Sequence, residues 1–298
     1  MAANTRAIRS RIKSVKNTKK ITKAMELVSA AKMRRAVSSV LGTRPYSGLS
    51  WETVRSVARV TDPSAHPLLM KPEGATNILL VLITSDRGLC GGFNARMLKE
   101  TMKTLASYKA ENVQVITIGK RGADTMRRAN RQIMASFVDL SNTPRYDSIR
   151  PIAKLILDEY AKGTYQKVIL GYTDYISALT QKSNLVDLLP LSIEEIDLTP
   201  PTTPNPSSER RGATEYLFEP TPKEVLDALL PKIVETKIWQ ALLESAASEH
   251  SSRMLSMRNA SEAASDMISS LTFTFNQARQ AGITREIAEI SSGKAALE

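Results

Sequence analysis

The stretch best supplied for chemistry is Thr84-Ser85-Asp86-Arg87-Gly88-Leu89-Cys90-Gly91-Gly92-Phe93-Asn94, which follows the apolar run Asn77-Ile78-Leu79-Leu80-Val81-Leu82-Ile83. A continuous β-branched run of that kind reads as a strand buried on both faces, and open α/β sheets bind their ligands at the carboxyl ends of such strands. The glycines nevertheless fit neither G-x-G-x-x-G nor a P-loop, because no Lys-Ser/Thr follows them to supply a magnesium-holding hydroxyl. Cys90 as a nucleophile requires an adjacent base, and neither of the two histidines, His66 and His250, lies close to it in sequence. With a single cysteine and two histidines a Cys/His zinc site is nearly excluded. The loop therefore reads as a tight, closely packed turn in which Arg87 is long enough to reach a partner's carboxylate. No catalytic residue, metal or cofactor is expected.

Charge is the second chemical resource. The net charge is +11, and residues 1–35 hold eleven Lys and Arg, among them Lys19, Lys20, Lys23 and Lys32, against Glu26 alone. A stripe of one sign marks nucleic acid, an anionic membrane surface or an acidic protein as the partner, and composition does not choose among them. Aromatics are 5% of the chain, which weakens a base-stacking reading. No run of about 18 apolar residues is present.

The elements that position these groups fall into three stretches: 1–73, 74–215 and 216–298. Residues 4 to about 41 read as a long helix with Ile8, Ile12, Val15, Thr22, Met25, Val28 and Ala31 on one face, bent or interrupted at Gly42, Pro45 and Gly48 and resumed near Trp51. From Asn77, strands at 77–83, 113–118, 133–138 and 166–172 alternate with helices at 94–109, 121–130 and 146–162, the pattern of an α/β layer with a mostly parallel sheet. Asn184 to Leu191 reads as a further strand, Pro200 to Ser208 as an exposed loop, and Tyr216-Leu217-Phe218 as a short edge strand.

The last stretch opens with Thr221-Pro222-Lys223-Glu224, a capping box with proline at the first helical position. Between Pro231 and Gly282 no Gly or Pro occurs, and a helix of that length runs about 75 Å. Leu243, Ala246/Ala247, His250, Met254, Met257, Ala260, Ala264, Ile268, Leu271, Phe275 and Ala278 recur at spacings of three and four, the seam of a helix packed lengthwise on a partner. Ser245, Ser248, Ser251, Ser252, Ser261, Ser265 and Ser269 read as its outward face. Arg279-Gln280 before Gly282 reads locally as a helix interruption. Neither terminal helix has the apolar surface to stand alone, so the two are expected to pack on each other.

Three strings resemble the gamma subunit of F-type ATP synthases, over essentially the whole length: Ile21-Thr22-Lys23-Ala24-Met25-Glu26-Leu27-Val28-Ser29-Ala30-Ala31-Lys32-Met33, then Ser85 to Asn94, then Ala278-Arg279-Gln280-Ala281-Gly282-Ile283-Thr284-Arg285-Glu286-Ile287-Ala288-Glu289-Ile290. One departure is visible, since Gly293 is followed by Lys294 where the family carries Gly-Ala. The resemblance implies an antiparallel coiled coil of the two terminal helices with a central Rossmann-like α/β domain. It implies a non-catalytic rotor that stands inside a ring of alternating alpha and beta subunits and meets epsilon and the membrane ring of c subunits. By motif match Met25 lies where the shaft meets the acidic loop of beta, as does Cys90 from the α/β domain; the basic stripe, with Lys20 and Lys23, would face that loop, and Arg87 is a further partner contact by its reach. Arg253, Arg279, Gln280, Thr284 and Glu286 match upper-shaft positions that contact beta. The sequence shows no transit peptide, which implies the cytoplasmic face of a bacterial plasma membrane. The rival expectation is a nucleic-acid-binding coiled-coil protein.

Overall fold

The computed structural model describes residues 2–58, 66–72, 74–191, 219 and 221–295. Its elements are α1 (Ala2–Ala58), β1 (Asn77–Ile83), α2 (Phe93–Leu105), β2 (Val113–Ile118), α3 (Lys120–Arg128), β3 (Gln132–Phe137), α4 (Arg150–Ala161), β4 (Tyr165–Tyr175), β5 (Gln181–Leu189) and α5 (Pro222–Ala295). They form two compact units, one of residues 32–252 and one of residues 1–31 with 253–298. The loop expected at 200–208 and the edge strand expected at 216–218 lie outside the described residues.

In the 32–252 unit the sheet order is β3-β2-β1-β4-β5. The β1–β2, β1–β4 and β2–β3 pairs are parallel, and β4–β5 is an antiparallel hairpin. β1 is central, and Ile78 to Ile83 are at most 1% exposed. This is what an unbroken apolar run requires, since both faces of a parallel strand are covered. One face carries Leu79, Val81, Ile83, Ile118 and Leu170 against Ile152 and Ile156 of α4, Val54 and Val57 of α1, and Leu226, Leu230, Val234, Ile238 and Leu242 of α5. The other face carries Ile78, Leu80, Leu82 and Val115 against Met97 and Leu105 of α2 and Met126 of α3. Each such side chain contributes about 1.5–3 kcal/mol on burial, so this two-sided core dominates the unit. The Thr221 half of the capping box forms, with Glu224 N donating to Thr221 Oγ1 at 3.3 Å.

α1 differs from expectation in being unbroken through Gly42, Pro45 and Gly48. Proline in a helix interior costs about 3 kcal/mol, and the burial of Val40, Val54 and Val57, at 2%, 1% and 0% exposure, offsets it. α5 continues past Gly282 to Ala295, so the interruption that Arg279-Gln280 and Gly282 leave open locally does not occur. Nothing lies within 4 Å of a Cβ added at Gly282, so its helical conformation meets no obstacle.

The other unit pairs residues 2–31 of α1 with residues 253–295 of α5. Thr22 meets Ser261, with their hydroxyls 2.7 Å apart, and Arg9 lies over the Phe275 ring at 5.3 Å, so going down α1 corresponds to going up α5 and the pair is antiparallel. Met257 and Ala264 are buried and Ile268, Leu271, Phe275 and Ala278 are half-buried, the seam expected from spacing, and Ser261, expected on the outward face, is buried within it. On α1 the stripe is narrower than expected and partly polar. Thr22 and Ser29 are buried and Ile8, Ile12, Val15 and Met25 half-buried, while Val28 and Ala31 are exposed. Helical geometry explains this, because Thr22, Met25 and Ser29 follow one face whereas Val28 and Ala31 sit about 100° or more off it.

The serines of α5 require a correction. Ser245, Ser248, Ser251, Ser252 and Ser261 are at most 7% exposed, and of the seven read as outward only Ser265, half-buried, and Ser269 see solvent. Hydroxyls are buried where they find partners, and these do. Ser245 Oγ accepts from Thr173 N at 3.0 Å, and Ser248 Oγ donates to Thr173 O at 3.2 Å. Ser251 Oγ and Ser252 Oγ each donate at 2.6 Å, to Ala178 O and Cys90 O.

Candidate partner interface

The Thr84–Asn94 loop is held by its own side chains. Asp86 bridges two other turns, Oδ1 accepting from Lys120 N at 3.1 Å and Oδ2 from Asp139 N at 2.9 Å. Thr84 Oγ1 accepts from Gly122 N at 2.9 Å. Amides at a helix N-terminus are the donors a phosphate would need, and at α3 two of them are already engaged by these side chains. Asn94 closes the loop, its Oδ1 accepting from Ser85 N at 3.0 Å and its Nδ2 donating to Ser85 Oγ at 2.7 Å and toward Cys90 Sγ at 3.2 Å.

Cys90 is 2% exposed, so its thiol is part of the loop's interior. What the loop turns outward is Arg87 and Leu89, the latter 64% exposed at φ +62°. A non-glycine residue at positive φ is uncommon, and here it holds an apolar side chain out to solvent. Among the described residues no cluster of three or more His, Cys, Asp or Glu is arranged to hold a metal, and no helix is long and apolar enough to cross a membrane.

The paired-helix unit carries the other expected positions. Lys20 and Lys23 are exposed, Lys23 pairing with Glu26 at 2.9 Å, and Met25 is half-buried one residue before that acid. A pair this exposed is worth about 0–1 kcal/mol and is easily traded for another. The two lysines belong to a groove of about 760 Å³ floored by Ile12 and Ile268, whose lining includes Arg9, Lys13, Lys16 and Lys19 and no acidic side chain. Six cations on one wall suit an anionic partner. Arg253 is 8% exposed.

Arg279, Gln280, Thr284 and Glu286 are all exposed. On a helix Arg279 and Glu286, seven apart, fall within about 20° of one line, while Gln280 and Thr284 form a second line about 100–140° round. Between them runs an apolar line that the sequence reading did not single out: Ile283, Ile287 and Ile290, exposed by 48%, 62% and 74%. A signal for it exists in the register. Arg9 is level with Phe275, so α1 as described, from Ala2 on, faces α5 up to about Gly282. Among the described residues no helix lies opposite the apolar residues past that point.

A sequence-family profile described as ATP synthase matches residues 4–297. The ATP synthase gamma chain of Pelotomaculum thermopropionicum is 43% identical over 293 residues, covering 98% of this chain and 99% of that one. That of Herpetosiphon aurantiacus is 40% identical over 307 residues, covering 99% of each. Among solved structures, a chain of the Euglena gracilis mitochondrial ATP synthase assembly of OSCP, F1 and c-ring shares the fold at a TM-score of 0.68 and 18% identity, over 100% of this chain and 95% of that one. A chain from the central stalk and c-ring of the Tetrahymena thermophila enzyme aligns at a TM-score of 0.59 and 25% identity, over 81% and 99%. Such agreement along the full length, on a chain whose helical pair and five-stranded sheet carry every recognised motif, places it in the ATP synthase gamma-chain family.

Proposed function

We propose that this chain is the central-stalk rotor of a proton-translocating F-type ATP synthase, coupling rotation of the membrane c-ring to the conformational cycle of the catalytic beta subunits. It makes and breaks no covalent bond. Its partners are the alpha and beta subunits of the catalytic hexamer, the epsilon subunit and the c-ring, and it reaches the membrane only through them, at the cytoplasmic face of a bacterial plasma membrane.

The observation that carries this reading is the unlike surface of the paired-helix unit. One side is the cation-lined groove of α1. Another is the end of α5, where Ile283, Ile287 and Ile290 stand exposed between two polar lines. A surrounding ring of three equivalent sites meets a different chemical surface at each site. A ligand or partner shifts a conformational equilibrium only by its differential contacts with the two states, so an asymmetric shaft holds three identical sites in three different states. Turning the shaft exchanges those states in order.

Within that mechanism Lys20, Lys23 and Met25 face the acidic loop of beta, and from the α/β unit Arg87 and the Cys90 turn contact beta, the turn presenting Leu89 while the thiol fixes its shape. Arg279, Gln280, Thr284 and Glu286 meet beta along α5, and Arg253, 8% exposed, offers it only the edge of its side chain. Exposed ion pairs are weak and salt-screened, which suits contacts made and released at each step. No observation favours the nucleic-acid reading, since no aromatic side chain lines the cationic groove. An affinity-tagged copy recovered from solubilised membranes is expected to bring down alpha, beta, epsilon and c subunits, and the chain alone to hydrolyse no ATP. Recovery without alpha and beta would overturn the reading.

A further inference from the structure

In the 32–252 unit, α5 occupies the place where a sheet of this topology would hold a ligand. The strand order reverses between β1 and β4, because the chain runs β1, β2, β3 to one side and returns to place β4 on the other. Ligands of open α/β sheets sit outside the carboxyl ends of the strands at that switch. Here the last β1–β4 pairing joins Leu82 to Gly171, and β4 continues to Tyr175 beyond it. Thr173 therefore has an N–H and a C=O with no strand on the β1 side, and it is Ser245 and Ser248 of α5 that take them, at 3.0 and 3.2 Å. The helix stands in for the missing strand.

The attachment is extended by two further hydroxyls. Ser251 Oγ donates to Ala178 O in the β4–β5 turn, and Ser252 Oγ to Cys90 O in the loop after β1, both at 2.6 Å. By helical geometry the four serines lie within about 120° of one another around the axis and span about 10 Å along it. Away from them Ala246 and Ala247 pack with Ala36 and Val37 of α1. Residues 241–252 are buried around the whole circumference of the helix.

These two kinds of contact resist different motions. Apolar burial is non-directional, and a small smooth alanine face tolerates a helix turning about its own axis. A hydrogen bond to a fixed backbone group weakens steeply with misalignment, so four of them on one side oppose both twist and slide. We infer that Ser245, Ser248, Ser251 and Ser252 act as a hydroxyl clutch, positioning residues that lock α5 rotationally to the sheet so that torque applied to the α/β unit enters the helix without slippage. The inference rests on the rotor reading above. It assigns to the switch point of the sheet a mechanical occupant in place of a small-molecule ligand.

The test uses the assembled complex in inverted membrane vesicles, with Ser245→Ala/Ser248→Ala, with Ser252→Ala, and with Ser265→Ala as the control, whose hydroxyl donates only to Ser261 O of its own helix at 2.9 Å. Two quantities are read: protons pumped per ATP hydrolysed, and the exchange rate of the Thr173 amide hydrogen in the complex. The double variant is expected to lower the pumping ratio about twofold or more and to speed Thr173 exchange by about tenfold or more, Ser252→Ala to lower the ratio alone, and Ser265→Ala to change neither. Assembly is read separately as the amount of alpha, beta and c subunits recovered with the chain, and ratios are compared at equal recovery, so that slippage is separated from loss of complex. Should the double variant yield no complex, the ratio in Ser252→Ala decides. A parent-like ratio in the variants that assemble, or an equal loss in Ser265→Ala, overturns the clutch. Parent vesicles that lack the chain overturn the rotor reading instead, and Thr173 exchange in the purified full chain then still reports whether the serines hold the strand.

Discussion

Gly119→Ala puts the packing of the sheet's carboxyl edge to a quantitative test. Gly119 connects β2 to α3 at φ +100°, a conformation side chains rarely adopt. An added Cβ would lie 2.2 Å from Thr84 O, 2.7 Å from Thr84 C and 2.9 Å from Thr84 Oγ1. Neither partner is free to retreat. Gly119 N donates to Phe137 O and Thr84 N to Ile118 O, each at 2.8 Å, and Thr84 Oγ1 holds Gly122 N. Backbone strain costs about 1–3 kcal/mol and overpacking a comparable amount, so the substitution should destabilise the α/β unit by about 2–6 kcal/mol. Against a domain stability of about 5–15 kcal/mol that is a large fraction. Gly42→Ala, with nothing within 4 Å of its new methyl and a helical backbone, is the matched control and should stabilise by about 0.5–1 kcal/mol. Urea unfolding of the full chain, followed by hydrogen exchange at β1 and β2 amides, measures both. A loss below about 1 kcal/mol for Gly119→Ala would mean that the Thr84 carbonyl is not fixed, and the account of this edge would be wrong.

Three other outcomes are expected. Met25→Lys adds charge to a half-buried position beside Lys23 and should lower protons pumped per ATP hydrolysed more than it lowers the amount of assembled complex; an unchanged ratio removes Met25 from coupling. A double-mutant cycle of Thr22→Val and Ser261→Ala should return a coupling energy of about 1 kcal/mol, read from thermal unfolding of the full chain, because Thr22 Oγ1 also donates to Lys19 O at 3.1 Å and leaves Ser261 as the interhelical donor. Burial lowers the pKa of His66 from its ordinary 6.5 although Asp227 lies 3.3 Å away. The unfolded chain then binds a proton that the folded chain refuses, so stability is full above about pH 6.5 and declines as pH falls through it, a slope that His66→Gln should flatten.

How much of this was legible in the sequence depends on what each residue reports. Apolar spacing located the α5 seam from Leu243 to Ala278 and the strands of the sheet, because burial of those side chains is what forms the elements. The run from Ile78 to Ile83 announced its central position by having no polar face. Serine carries no such signal. Ser245, Ser248, Ser251 and Ser252 read as solvent-facing by polarity, and only the arrival of the Thr173, Ala178 and Cys90 backbone groups, distant in sequence, makes their burial favourable. The continuity of α1 through Pro45 was hidden for a related reason, since the local cost is visible in the residue and the compensating burial of Val54 and Val57 is not. Of the expected contact residues, the exposure of Lys20, Lys23, Arg87, Arg279, Gln280, Thr284 and Glu286 was legible from polarity, whereas the interior setting of the Cys90 thiol came from Asn94 and Ser85 folding over it.

The register of the helical pair has a consequence for biosynthesis. Past the point where α1 runs out, α5 continues with Ile283, Ile287 and Ile290 facing water, and Phe273 just before them is 64% exposed. A newly made copy that has not yet met its neighbours is thus a sticky orphan at one tip. On the rotor reading proposed above, its production has to keep pace with that of the subunits that would sheathe it, and a cell that makes it in excess should find the surplus in aggregates or degraded.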